Sequence, residues 1–300
     1  MKINLLLAGL TALSSLLAAP AKAQNDIPEY KHLVVVIEEN HAYHQLIGSA
    51  NAPYINKLAK AGVLFTNSHG IGHPSQPNYL VLFSGSTQGV NDDGCLESIT
   101  PFKTPNLGAA LVDKGFTFRG YAQTMPSVGY LGCTYRSSRL TIASLYARKH
   151  TPWVNWLGTG VNSIPLSSSL PMTEFPKDFD KLPTVAFVIP DMDYDMHNIG
   201  FPGDAAAIRR GDAWLKEHLE AYAEWAIKHD SLLIVTFDED DYNNANGNQI
   251  PTIFYGAKLI PGDYKVAVTH YNILHTIQSM YGLPLTDNVL AVPVAGIWTK

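Results

Sequence analysis

The segment KHLVVVIEEN, residues 31–40, decides the architecture. Leu33, Val34, Val35, Val36 and Ile37 are consecutive, apolar and mostly β-branched, too few for a helix and without polar alternation. Such a run reads as a strand covered on both faces, as in a parallel sheet. It stops abruptly at Glu38, Glu39 and Asn40. In open parallel α/β sheets ligands gather beyond the carboxyl ends of the strands, so the polar residues that end each such run are the ones to collect.

Working outward, Asn51-Ala52-Pro53 reads as a helix start, with Asn51 as N-cap and Pro53 in the first turn. Ile55, Leu58 and Ala59 form its apolar face, and Gly62 stops it. Residues 63–66 follow as a second strand. Residues 77–83 form a helix with Pro77 in its first turn, which leaves Ser75 at a strand-to-helix junction. The alternation continues through a helix at 105–115 and strands at 116–121 and 185–189. A long helix at 204–228 carries Trp214, Leu215, Leu219, Tyr222, Trp225 and Ala226 at near-helical spacing. Strands at 232–237 and 252–255 and a helix at 270–280 complete it. The expected fold is α/β, a doubly wound, mostly parallel sheet sandwiched by helices. Residues 90–105 and 125–176 are irregular and long, the kind of segment that covers or shapes a site.

The 300 residues, 46% hydrophobic and 16% charged, suffice for one substantial core. A net charge of -5 gives no basic footprint for nucleic-acid phosphates, so no nucleic-acid partner is expected. Residues 1–23 read as a signal peptide: Lys2 is its basic start, 5–17 its apolar centre and Ala21-Lys22-Ala23 its cleavage pattern. Residues 24–300 are then a single domain, periplasmic or secreted, with no membrane span in the mature chain. In an oxidising compartment Cys95 and Cys133 are expected to form a disulfide.

Collecting the strand ends gives a chemical pattern. Glu39, Asp238 and Glu239 come from two strand ends and repel one another unless a cation lies between them, which points to one hard divalent metal ion with oxygen ligands. A solvated acidic loop is the plainer reading of 238–241. Ser75 alone reads as a helix cap. Coordination to the same cation makes it a credible nucleophile, with Asn78 one turn on and facing the same bound anion. His197 and His270 are candidate metal ligands, phosphoryl donors or acids, while His69, His73 and His150 are weaker candidates. Asp191 and Asp195 either complete a histidine site or cap the next segment. A serine acyl hydrolase lacks its G-x-S-x-G elbow here. A non-enzymatic calcium-binding module leaves Ser75 and Asn78 unexplained.

The segments VVVIEENHAYHQLIG, AGVLFTNSHGIGHPSQPNYLVLFSGSTQG, LLIVTFDED and HYNILHTI resemble, in that order, the bacterial acid phosphatase and phospholipase C family of phosphoesterases, within the alkaline phosphatase-like superfamily. The resemblance runs from about residue 31 to near the C-terminus. It implies that Glu39 binds metal, that Asn40 contacts the phosphoryl group and that Ser75 forms a phospho-enzyme. It further implies that Asn78 stabilises the oxyanion and that Asp238 and Glu239 are paired acidic ligands, while His197 and His270 bind a second metal or the phosphate itself. Where alkaline phosphatases place Asp-His this chain has Asp238-Glu239, and Asp191 stands six residues from His197 instead of four, the spacing that Asp193 has. One metal is therefore expected. The chain is short for a phospholipase C, so the expected activity is an acid phosphatase acting on small phosphomonoesters, with a phospholipase C-type phosphodiesterase as the alternative. Histidine protonation accords with an acid optimum.

Overall fold

The computed structural model describes residues 27–242, 247–287 and 290–299; the signal-like segment 1–23 lies outside them. In chain order the elements are β1 (His32–Glu38), α1 (Tyr43–Leu46), α2 (Pro53–Ala61), β2 (Val63–Phe65), β3 (Ser68–His69), α3 (Ser75–Ser84), α4 (Leu107–Asp113), β4 (Phe118–Ala122), β5 (Thr134–Ser137) and β6 (Ser144–Ala147). They continue with β7 (Ser169–Pro171), β8 (Val185–Ile189), α5 (Asp204–Ala226), β9 (Ser231–Phe237), β10 (Thr252–Gly256), β11 (Gly262–Tyr264), β12 (Val268–Thr269) and α6 (His270–Met280).

The main sheet has the order β11-β2-β10-β9-β1-β8-β4-β7. From β9 to β7 every pairing is parallel, and β10 runs antiparallel to both β9 and β2. The apolar run of β1 is therefore central, as its composition required. Its side chains alternate between two cores. Leu33, Val35 and Ile37 pack with α3, α4 and α6, while Val34 and Val36 pack with α2 and α5. The helices thus sandwich the sheet, as expected of a doubly wound fold.

The irregular stretches form an excursion at the β4–β7 side of the sheet. Cys95 and Cys133 join its two parts through a disulfide, the β5–β6 hairpin follows, and short 3₁₀ turns bury Trp153 and Trp156 in the core. The same turns carry His150 to a buried position.

One local expectation is corrected. Asn51 does not cap α2: the capping position is Ala52, which offers no side-chain bond, and Asn51 Oδ1 instead accepts from Arg209 Nη1 at 2.7 Å. The first amides of α2 find their acceptors in α5. Asp212 Oδ2 and Oδ1 accept from Tyr54 N at 3.0 Å and Ile55 N at 2.8 Å. A capping search along the chain misses this because the carboxylate arrives from a distant helix. Replacing Asp212 with Ala leaves two helix-start donors without partners and is expected to destabilise the fold by about 1–3 kcal/mol. The urea midpoint measures this, and an unshifted midpoint contradicts the capping role.

Candidate active site

Strand alternation decides which acidic residue at the end of β1 faces the chemistry. Glu39 falls in phase with Val35 and Ile37, on the face that carries α3, whereas Glu38 falls in phase with Val34 and Val36. Parallel pairing continues one step past the strands, with Asp238 N donating to Glu38 O at 3.0 Å, so the ends of β1 and β9 lie side by side. Glu39 N donates to Asp195 O at 2.8 Å, which ties in the loop after β8. Asn40 turns the chain away with φ 52, a left-handed conformation that asparagine tolerates. Its backbone N–H donates to Asp238 Oδ1 at 3.1 Å and its Nδ2 to Glu39 Oε2 at 3.0 Å.

Ser75 is the first residue of α3, which starts two residues before the expected helix at Pro77, and it is buried. Its Oγ lies 3.1 Å from Glu39 Oε2 and 3.0 Å from Glu239 Oε1. A hydroxyl has one proton, so it serves only one of these carboxylates at a time. The loop before it is held by Asn78, whose Oδ1 accepts from Ile71 N at 2.8 Å and whose Nδ2 donates to Gly72 O at 2.8 Å. Asn78 Nδ2 also lies 3.4 Å from Glu239 Oε2. The amide read from the sequence as an anion partner is thus engaged in shaping the Ser75 loop.

The histidines divide differently from the expectation. His150 is fully buried between two acids, with Nε2 2.9 Å from Glu39 Oε1 and Nδ1 3.3 Å from Asp195 Oδ2, and its ring stacks on Tyr79. His73 bridges Glu239 and Asp240 at 2.9 and 3.2 Å. His197 is half-buried, and its ring centroid lies 5.7 Å from that of His150. His270 Nε2 pairs with the Asp238 carbonyl at 2.7 Å, leaving Nδ1 facing inward without a partner. His69 binds Asn67 and Gly247 and plays no part here. Asp195 belongs to the site, whereas Asp191 bonds Thr124 and Asp193 bonds Ser138 and Asn198. The sequence carried one signal for His150, its place in a long irregular stretch; its partners Glu39 and Asp195 were legible as strand-end acids, but not their pairing with His150.

Burial opposes ionisation of Glu39, Asp195, Asp238 and Glu239 alike. It lifts Asp238 well above the ordinary carboxylate range, with the charges of Glu39 and Glu239 adding to the effect. It pushes Glu239 up to about 8, again with the charge of Glu39 behind it. Burial opposes the Glu39 carboxylate too, but the positive charge of His150 outweighs it and holds Glu39 well below the usual range. For His150 burial acts downward, yet the charge of Glu39 and the contact with Asp195 prevail and push it up to about 9. His270 is lowered by burial to about 4, only partly opposed by the Asp238 carbonyl.

These residues fit a divalent cation. Among the described residues, Glu39 Oε1, Asn40 Oδ1, His150 Nε2, Asp195 Oδ2, His197 Nδ1, Asp238 Oδ2 and His270 Nδ1 are buried without an aligned hydrogen-bond partner, and all belong to this one edge. Buried polar atoms are normally satisfied, so such a concentration calls for an occupant. Ligand atoms of Glu39, His150 and His197 lie within 4.8 Å of one another. Glu39 offers one oxygen to His150 Nε2 and the other to Ser75.

Known proteins resemble this chain in sequence and in fold. Residues 49–284 match the model of the phosphoesterase family. The chain is 43% identical over 279 residues to a phosphatidylinositol-3-phosphatase of Mycobacterium tuberculosis, covering 92% of this chain and 85% of that protein. It is 30% identical over 254 residues to an acid phosphatase of Aspergillus fumigatus, covering 82% of this chain and 54% of the fungal protein, about half its length. Among solved structures, a protein of the alkaline phosphatase superfamily from Vibrio parahaemolyticus aligns with a TM-score of 0.58 at 13% identity, over 90% of this chain and 72% of that one. The lipoteichoic acid synthase LtaP of Listeria monocytogenes aligns with a TM-score of 0.58 at 12% identity, over 89% and 75%. The two structures establish the shared alkaline phosphatase-like fold.

The placement of His197 depends on a contact with α5. Met196, just before it, has φ 76, and Gly211 in α5 makes room for it: a Cβ at Gly211 would lie 2.6 Å from Met196 Cε and Cγ. In an ordinary helix interior, Gly→Ala stabilises by about 1 kcal/mol. Here the sign is expected to reverse, with Gly211→Ala lowering the urea midpoint. A raised midpoint contradicts this account of the turn.

Proposed function

The chain belongs to the phosphoesterase family, and we propose on that footing that this phosphoric ester hydrolase is an exported, metal-dependent phosphomonoesterase with Ser75 as its nucleophile. The observation that carries the reading is Ser75 Oγ, at the first turn of α3, with Glu39 Oε2 and Glu239 Oε1 at 3.1 and 3.0 Å. A neutral serine is a weak nucleophile, and carboxylates on both sides are placed to take its proton. The helix N-terminus favours the negative charge that follows.

In this reading the phosphoryl group lies against Ser75, with Asn40, His150 and His197 around its equatorial oxygens to spread their charge. Asn78 acts as a positioning residue through the loop it holds. His270, whose Nε2 is engaged by the Asp238 carbonyl, presents Nδ1 as an acceptor or ligand. A divalent cation held by Glu39, Asp238 and Glu239, with Ser75 beside them and His150 and His197 at the second oxygen of Glu39, would supply positive charge favouring ionised serine and phosphoryl oxygens alike. Ser75 Oγ gives its proton to a flanking carboxylate and attacks phosphorus in line. The P–O bond to the alcohol breaks, its electron pair leaves on the alcohol oxygen, and that oxygen takes a proton from water. Water then hydrolyses the phosphoserine, restoring Ser75 and releasing inorganic phosphate.

The Mycobacterium tuberculosis relative is named for removing the 3-phosphate of a phosphatidylinositol, a monoester. That supports phosphomonoesters as the substrate class here, over the phosphodiesters of a phospholipase C. The Cys95–Cys133 disulfide and the signal-like segment 1–23 support a periplasmic or secreted protein. Residues 24–300 read as one domain, since one sheet draws strands from His32 to Tyr264.

Ser75→Ala is expected to abolish hydrolysis of p-nitrophenyl phosphate with an unchanged circular dichroism spectrum; an active variant removes Ser75 as nucleophile. Wild type should hydrolyse p-nitrophenyl phosphate in preference to p-nitrophenyl phosphorylcholine, and the opposite preference favours the phosphodiesterase. Chelation should lower both activity and melting temperature, and divalent metal should restore both. Glu239→Gln, which mimics the protonated Glu239 that burial favours below about pH 8, should leave the melting temperature of the metal-free protein within about 2 °C of wild type at neutral pH. It should also blunt the metal-induced rise. A melting temperature indifferent to chelator and metal contradicts the cation site.

A further inference from the structure

A cavity of about 410 Å³ lies on the α3 side of the sheet, within the size range of small-molecule pockets. Three of its lining residues are chain neighbours of groups already placed. Gln76 follows Ser75, Lys149 precedes His150, and Met192 begins the turn that leads to Asp195 and His197. Leu96, Ala143 and the disulfide between Cys95 and Cys133 are among its other walls.

The cavity is fastened to the helix that carries Ser75. Gln76 N donates to Asp93 Oδ1 at 3.0 Å, and Gln76 Nε2 donates to the carbonyls of Asp92 and Gly94 at 3.0 and 2.9 Å. Lys149 Nζ reaches Asp93 Oδ2 at 2.6 Å, so the charges at this edge of the cavity are paired. The Arg148 guanidinium, which also borders the cavity, is engaged by Asn155, Leu131 and Thr100. What remains for an occupant is mainly apolar, Leu96, Ala143, Ala147, Met192 and the disulfide, with Thr134 and Ser144 adding uncharged hydroxyls. Such a lining suits an uncharged organic group and does not suit a second phosphate. The larger cavity near Trp214 and Arg209 borders α5, on the opposite face of the sheet from α3.

We propose that this cavity is the leaving-group subsite, holding an uncharged, largely apolar alcohol portion of the phosphomonoester while the phosphoryl group lies against Ser75. The inference rests on the phosphomonoesterase reading. It adds that specificity is set by the 92–96 and 131–149 segments, joined by the disulfide, and that esters of apolar alcohols are preferred to those of charged ones.

The test fills the cavity in the metal-loaded full chain. Ala143 is half-buried, lines the cavity and is not among the residues assigned to catalysis. Two ligands are compared: 1-naphthyl phosphate as substrate, and inorganic phosphate, which has no alcohol portion, as competitive inhibitor. For Ala143→Trp, KM for 1-naphthyl phosphate is expected to rise about tenfold or more, with the inhibition constant of phosphate held within about twofold. An unchanged KM overturns the subsite, as does a phosphate constant that rises in step with KM. Ser144→Trp, from the adjacent lining position, gives the same readout if the first variant does not fold. Wild type inactive on every phosphomonoester overturns the parent reading, whereas active wild type with an indifferent KM overturns the subsite alone.

Discussion

Mutual repulsion among buried carboxylates is the constraint around which this end of the molecule is built. Glu38, Glu39, Asp195, Asp238, Glu239 and Asp240 are all buried at the ends of three adjoining strands, β8, β1 and β9. Like charges at such separations in a medium of low dielectric cannot all persist without compensation. The neighbours divide the task. Burial and the surrounding acids keep Glu38 well above the ordinary carboxylate range, and it lies on the face away from Ser75. His150 stands between Glu39 and Asp195, and His73 between Glu239 and Asp240. The Ser75 hydroxyl occupies the gap between the two glutamates.

What the sequence made legible follows from how each signal is encoded. The central strands were readable because burial on both faces demands unbroken apolar runs, and those runs are local. The helix over His270–Met280 was readable because Ile273, Leu274 and Ile277 repeat at helical spacing. Glu39, Ser75, Asp238 and Glu239 emerged from a rule of position: polar residues that end buried strands meet at one edge. His150 and His73 follow no such rule. His150 enters from a 3₁₀ turn inside an irregular excursion, and its partners Glu39 and Asp195 lie far away in the chain. The α2 cap was misread for the same reason, since a carboxylate from α5 does what a nearby side chain was expected to do.

Much of the site is supported from behind. His41 ties the Glu39 carbonyl to Asp204 at the start of α5, with contacts of 3.0 and 2.8 Å. Asn78 holds the loop before Ser75, and Gln76 anchors the loop after α3. Side chains adjacent in sequence to the reacting groups thus lock the loops that carry them, an arrangement that keeps reactive atoms within the narrow tolerances catalysis requires.

The central place of β1 has a further meaning during synthesis. Its two neighbours are β8 and β9, with Leu33 opposite Val185 and His32 opposite Ser231. As the chain leaves the ribosome, this central strand emerges well before either neighbour, and both its edges stay unsatisfied until β8 and β9 have been made. Parallel pairing across such separations is slow, and an unpaired apolar strand invites association with other chains. Overproduction in the cell should therefore strain the capacity of chaperones in the interval between the synthesis of β1 and that of its partners, before the catalytic groups are brought together.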